Sequence, residues 1–425
     1  MEEWRLATTE DVAAAAALAR ERGRLGIDTE FMSEGRYRAL LCLVQVAVDD
    51  PSAQPDDTGA ALSGDGGGRA RGKPAVSRIV LIDAFDEVDV RPIAELVADP
   101  EIEVVLHAGR QDVAILRRAW QTDVTNVFDT QIVAGFAGAS AQSGYANLLG
   151  QILGRRVGKS ASYTRWDARP LTAEQLSYAA EDVAHLLELA DELEARLRKS
   201  GRFEWAREEC RRLESATDER DPETAWERVP RIGQLDPRSR AVARELAAWR
   251  ERTAASEDRP VGSVLADPTL VELAKRQPSS LGALEHIRGI HPSGIRRRGQ
   301  AILDAITAGR EAPPIPREPS RERFDPADAP LIALAEALLR ARAAEAGLAY
   351  ELLASRAELE LIVGAVRRAE PEPEVRTLEG WRAELVGDSL RALLSGRATL
   401  AVGANRRLTL TPIQVRASPT SPGPG

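Results

Sequence analysis

At 425 residues, with 43% apolar and 29% charged side chains, the chain has an ordinary globular composition and room for two to four domains. No apolar run approaches the roughly 18 to 20 residues a membrane helix needs, and the acidic start Met1-Glu2-Glu3 is unlike a secretory signal. Two cysteines, Cys42 and Cys210, exclude both a disulfide framework and a cysteine-based zinc site, so a cytoplasmic location is expected. The net charge of −9 argues against a nucleic-acid partner only globally, since residues 231–310 carry 14 Lys and Arg against 9 Asp and Glu.

The Ala-rich stretch Ala13–Ala17 predicts a helix capped by Thr8 or Thr9, with Glu10 and Asp11 in its first turn. Leu25–Phe31, Leu41–Val48, Arg78–Asp83 and Glu101–His107 read as strands. Gln111–Trp120 begins a helical pattern, and Tyr145–Leu153 and Glu174–Leu197 look helical as well. An α/β domain with an early strand meander is expected over residues 1–212. Its Gly/Asp/Pro/Ser-rich segment 49–77 reads as a flexible insert between two strands. Beyond Pro230 the pattern turns helical. One helical domain is expected over 230–312, a Pro-rich linker over 313–328, a second helical domain over 329–412 and a disordered tail over 413–425.

Asp28 and Glu30 alternate with Ile27 and Thr29 on the first strand, so the two carboxylates share a face. On an apolar strand they repel and lose hydration unless a cation neutralises them; a solvent-facing pair is the other reading. Asp112 follows His107-Ala108-Gly109 where a strand gives way to a helix, a position that dipole compensation alone can explain. Tyr178 and Asp182 stand four apart on one helix face. Gly154-Arg155-Arg156-Val157-Gly158-Lys159-Ser160 imitates a phosphate loop, but Leu153 stands where its first glycine belongs, which excludes a nucleotide cofactor there.

In combination, Asp-x-Glu, the Asp after His-Ala-Gly and Tyr-x-x-x-Asp resemble the three motifs of the DEDD exonuclease superfamily. Tyr178 marks its Tyr-type branch. Phe128-Asp129-Thr130-Gln131, Gly158-Lys159-Ser160 and Trp166-Asp167-Ala168-Arg169-Pro170-Leu171 extend the resemblance to the ribonuclease D family. The resemblance implies a ribonuclease H-like fold and a 3′→5′ exoribonuclease that uses two divalent ions, Mg²⁺ or Mn²⁺. Asp28, Glu30, Asp112 and Asp182 would be the ligands and Tyr178 would position the attacking water. Nucleoside 5′-monophosphates would be the products, and RNA with a free 3′ end, tRNA precursors included, the substrate. Asp129 reads as a helix-start residue rather than a ligand. Lys159 is a candidate phosphate contact, and Phe31, Met32 and Tyr37 are candidate contacts for the terminal base or sugar.

The segment from Trp249 through Val264-Leu265-Ala266-Asp267 and Ile287-Arg288-Gly289-Ile290 to Ile306 is similar to the helicase-and-ribonuclease-D C-terminal (HRDC) domain. Tyr350–Arg356 and Gly380-Trp381-Arg382 resemble a second, divergent copy. The expected architecture is thus an α/β exonuclease domain followed by two all-α HRDC-type domains. Lys275, Arg276 and the basic turn Arg296-Arg297-Arg298 are the candidate RNA contacts. A 3′→5′ DNA exonuclease, or a non-catalytic RNA-binding scaffold, are the competing readings.

Overall fold

The computed structural model describes residues 4–51, 77–140, 142–155, 165–316, 325–403 and 405–413. Lys159, nearly all of the 49–77 insert, half of the Pro-rich linker and all but the first residue of the 413–425 tail lie outside the described residues. Among those described, no helix is long and apolar enough to cross a membrane.

Helix α1 (Thr9–Arg22) starts at Thr8, whose side chain and Asp11 cap each other reciprocally. It leads into β1 (Arg24–Met32), β2 (Leu40–Asp49) and β3 (Ser77–Asp83), an antiparallel meander. Helix α2 (Arg91–Ala98) then carries the chain to β4 (Glu103–Leu106), which pairs parallel with β1. After α3 (Arg110–Trp120), β5 (Val127–Asp129) completes a sheet ordered β3-β2-β1-β4-β5. The β5 strand is too short for its pattern to stand out in sequence. Interior strand β2, with helices packed against it, is buried along most of its length and shows no clean alternation.

Asp129 caps α4 (Thr130–Phe136), accepting from the backbone N–H groups of Gln131 and Ile132. Helix α5 (Tyr145–Leu148) passes into a π-helical turn, Leu149–Leu153. The single helix expected over Glu174–Leu197 is two: α6 (Ala173–Ala184) and α7 (Leu186–Ser200), broken at His185. Helix α8 (Phe203–Glu214) follows.

By contacts the chain forms two compact units, one of 1–128, 157–188 and 211–320, the other of 129–156, 189–210 and 321–425. In the first unit, the sheet is joined by α9 (Pro237–Ser256), α10 (Val261–Val264), α11 (Asp267–Arg276), α12 (Leu281–Leu284) and α13 (Pro292–Glu311). Leu246, Leu270, Leu273, Leu284 and Ile306 centre a continuous apolar core in these helices. Gly309 lets α13 close on α9, since a Cβ there would lie 2.4 Å from the Val242 Cα. The basic run 296–298 proves to be part of α13 rather than a turn.

The second unit contains α14 (Ala329–Ala346), α15 (Arg356–Arg367), α16 (Gly380–Arg382) and α17 (Asp388–Leu394). Arg382 is fully buried, donating to Glu209 at 2.6 Å and to the Leu352 carbonyl at 2.5 Å. Trp381 stacks on Trp205 with ring centres 5.3 Å apart. The helical reading of 329–412 fails at its end: β6 (Ala398–Val402) and β7 (Leu408–Pro412) form an antiparallel hairpin.

Candidate active site

The first carboxylates come from the sheet's centre. Asp28 and Glu30 lie where β1 has run past its pairing with β4, which spans only Arg24–Gly26. Gly26 allows this close packing: a Cβ there would stand 3.3 Å from the Leu186 side chain. The tight link from β4 to α3 supplies the next carboxylate. Ala108 takes a left-handed φ of 55°, and Gly109 is needed because a Cβ would fall 2.7 Å from that of Leu106. This geometry sets buried Asp112 in the first turn of α3, where the Thr29 hydroxyl donates to it at 2.5 Å.

The last pair rides on α6, whose start is fixed by a reciprocal cap between Thr172 and Gln175. Leu176, Ala179 and Ala180 pack with Trp166, Leu81 and Leu43, which turns Tyr178 and Asp182 toward β1. Arg169 anchors the loop before α6, binding Asp83 through two 2.5 Å contacts and donating to the carbonyls of Trp166 and Cys42. Tyr178 and Asp182 stand one turn apart on α6, close enough for the phenol to hold the Asp182 carboxyl down.

Electrostatics shows that the four carboxylates share one space. Burial, then Asp112, Asp182 and Glu30, hold the Asp28 carboxyl well above the usual carboxylate range. Burial, then Asp182 and Asp112, push Glu30 up to about 8. Burial raises Asp182 to about 6 against the opposing bond from Tyr178. Burial and the surrounding carboxylates push the Tyr178 phenol above its ordinary value, so it stays protonated at neutral pH. The leading charges acting on Asp28, Glu30 and Asp182, among the described residues, are all carboxylates. Among the described residues no three such side chains close into a ready ligand cage.

Two neighbours escaped sequence reasoning. Alternation turns Thr29 away from Asp28, yet its hydroxyl donates to Asp112. Gln45 pairs directly with Asp28 across β1 and β2, and its fully buried amide has no hydrogen-bond partner at either atom. Register alone connects them, and register is invisible in one sequence.

The other expected contacts divide. Arg296 and Arg297 are exposed, as are Lys275 and Arg276, although Arg276 pairs with Glu272 at 2.5 Å. Arg298 is instead engaged internally, paired with Glu257 at 2.5 Å and bonded to the Val264 carbonyl, because its helix face turns toward α10. Tyr37 is buried too: it donates to Glu251 at 2.9 Å, while its backbone N–H donates to Asp258. It therefore ties the β1–β2 loop to α9 rather than meeting a terminal base.

Residues 70–198 match the 3′-5′ exonuclease family model and residues 239–306 the HRDC domain model. The chain is 34% identical over 407 residues to a ribonuclease D from Gluconacetobacter diazotrophicus, covering 94% of this chain and 95% of that one. A ribonuclease D from Acidiphilium cryptum is 33% identical, with 94% and 95% covered. The crystal structure of Escherichia coli RNase D, described as an exoribonuclease involved in structured RNA processing, superposes with a TM-score of 0.76 at 28% identity, covering 93% of this chain and 99% of that one. A carboxylate cluster built by an exonuclease sheet, helical modules in matching order and near full-length similarity lead to one assignment: the chain belongs to the ribonuclease D family and is a 3′→5′ exoribonuclease.

Proposed function

We propose that Asp28, Glu30, Asp112, Tyr178 and Asp182 form the catalytic centre and that it works with two divalent ions, Mg²⁺ or Mn²⁺. The observation that carries this reading is a set of partly or fully buried carboxylates whose leading electrostatic neighbours, among the described residues, are other carboxylates. Such a set is costly unless a ligand supplies positive charge. The donor chemistry fits: every candidate ligand is a hard carboxylate oxygen, and the orphaned Gln45 amide beside Asp28 could orient a carboxylate or a water. Asp28 would hold both ions, Glu30 and Asp182 one of them, and Asp112 the other.

When bound, the ions supply Lewis acidity at the attacking water and at the leaving 3′-oxygen. The protein's own groups do the rest. Thr29 fixes the Asp112 carboxylate through its hydroxyl. Tyr178 keeps its proton, so its hydroxyl would donate a hydrogen bond to Asp182 and accept one from the incoming water, aiming that water at phosphorus. The products are nucleoside 5′-monophosphates released from a free 3′ end. Structured RNA, tRNA precursors included, is the substrate class we favour, because the similar Escherichia coli enzyme is described as acting on structured RNA. Lys275, Arg276, Arg296 and Arg297 are exposed cations of the first helical module that suit phosphate. Two buried free thiols, Cys42 and Cys210, suit a reducing cytoplasm.

The test is Asp28→Asn assayed on matched RNA and DNA oligonucleotides with Mg²⁺ or Mn²⁺. Turnover of RNA should vanish while the circular dichroism spectrum is kept. Substantial activity in folded Asp28→Asn would remove Asp28 from the centre. Equal wild-type rates on DNA would broaden the substrate beyond RNA.

A further inference from the structure

Along its helices from α14 to α17 the second unit neutralises its arginines. All eight from Arg340 to Arg391 hold an ion pair with a carboxylate. The terminal hairpin departs from this. Arg397, Arg406 and Arg407 are exposed, and none forms an ion pair with a described residue. The sequence explains why: residues 389–425 hold five arginines and no aspartate or glutamate, in a chain of net charge −9.

The hairpin's two faces also differ. Ala398, Leu400, Leu408 and Leu410 are buried or half-buried, on the face that meets α14 and α17. The opposite face is open. Period-two alternation and the pairing of Thr399 with Thr411 and of Ala401 with Thr409 place exposed threonines along it. Arg397 immediately precedes β6 and Arg407 immediately precedes β7, so they flank the hairpin at opposite ends, about 20 Å apart along the strands, with Arg406 in the turn beside Arg407. Thr399 and Thr409 make only long cross-strand bonds, 3.4 and 3.3 Å, to opposing carbonyls.

We propose that this open face is an RNA-binding surface that takes the sugar-phosphate backbone, with Arg397, Arg406 and Arg407 meeting phosphates and the threonine hydroxyls between them. The proposal rests on RNA being the substrate of the carboxylate centre. Charge complementarity selects the occupant. A paired arginine must surrender its carboxylate before it can bind a phosphate, whereas these three release only counterions. Threonine and arginine are suited to phosphate and sugar contact, and a face without bulky aromatics does not demand stacked bases, so binding here should be indifferent to sequence.

The experiment compares the full-length protein with Arg397→Gln/Arg406→Gln/Arg407→Gln and with Arg340→Gln/Arg356→Gln/Arg368→Gln, which removes the same charge from paired positions. RNA affinity is measured for a structured RNA with a single-stranded 3′ end, across a monovalent salt series. The hairpin variant should bind roughly tenfold more weakly near 100 mM salt, with a log–log slope shallower by about 2, three contacts at about 0.7 each. The paired-position variant should bind as wild type does. Unchanged affinity and slope in the hairpin variant overturn the proposal, as does an equal loss in both variants. Matching thermal midpoints for all three proteins verify folding, and Arg407→Glu alone, a single exposed change, gives a second reading if the triple variant misfolds. Wild-type hydrolysis of a short RNA oligonucleotide reports on the carboxylate centre separately. Its failure would sink the active-site reading, while a loss of affinity confined to the hairpin variant would leave the hairpin assignment standing.

Discussion

Arg382 with Glu209 in the second unit, and Asp28 with its carboxylate neighbours in the first, are both charges drawn out of water. The chain treats them oppositely. Arg382 receives a carboxylate at 2.6 Å, a backbone carbonyl and an aromatic platform, so its charge is matched where it sits. Asp28 receives more negative charge from Asp112, Asp182 and Glu30. A fold that can pair one buried charge so completely has surrounded the other, among the described residues, chiefly with like charge, where burial makes the imbalance expensive. That contrast is what supports the proposal that a ligand completes the second. The same logic separates the arginines of α14–α17, each matched, from those of the hairpin, left open.

The contrast can be sharpened first through Tyr178. Tyr178→Phe removes the donor to Asp182 without touching a ligand. Single-turnover RNA cleavage should slow by roughly 10²- to 10⁴-fold, the range for lost proton-transfer assistance and water orientation. Metal affinity, followed by calorimetric titration, should hold. An unchanged rate would reduce Tyr178 to a packing partner of Trp166, which lies 6.1 Å away between ring centres.

A second test asks whether the Arg382 pair is structural, as its complete internal matching implies. Arg382→Ala removes the closer of the two guanidiniums on Glu209, leaving Arg376 at 3.8 Å, and should lower unfolding free energy by about 3 kcal/mol, read by denaturant titration. Asp28→Asn should do the reverse in metal-free protein and raise the thermal midpoint, because it removes a charge the fold disfavours. If both variants move stability the same way, the two sites are not opposites.

The smallest effect expected is a pH dependence of the metal-free protein. Glu30 titrates near its ordinary 4.5 when unfolded and is pushed up to about 8 when folded, so the folded state holds the proton more tightly. Its contribution to stability is fully present below about pH 4.5 and is lost as pH rises through about 8. In EDTA the thermal midpoint should therefore fall across that window, and Glu30→Gln should flatten the fall. A wild-type slope retained in Glu30→Gln would assign the loss to other groups.

Several features were legible because they depend on neighbours in sequence. Alternation put Asp28 and Glu30 on one face, and i,i+4 spacing put Tyr178 beside Asp182. Asp129 capped a helix as its position before Thr130 suggested, and apolar spacing at Leu246, Leu270 and Ile306 marked a helical core. The hairpin was also within reach, since Ala398–Val402 and Leu408–Thr411 alternate around a Gly403-containing turn. It was absorbed into a helical module because helices precede it.

What the sequence by itself determined was therefore local: residue type, face, cap and the chemistry of each motif, together with a tail of hairpin arginines free of acid. Only the tertiary structure decided which charges stand together and which find partners. Arg298 and the exposed Arg297 are adjacent in sequence, yet only Arg298 meets Glu257, across 41 residues. Tyr37 meets Glu251 across 214 residues, and Thr29 meets Asp112 across 83. Coulomb and hydrogen-bond energies depend on distance through space and on the water excluded between groups, and neither quantity is written along the chain.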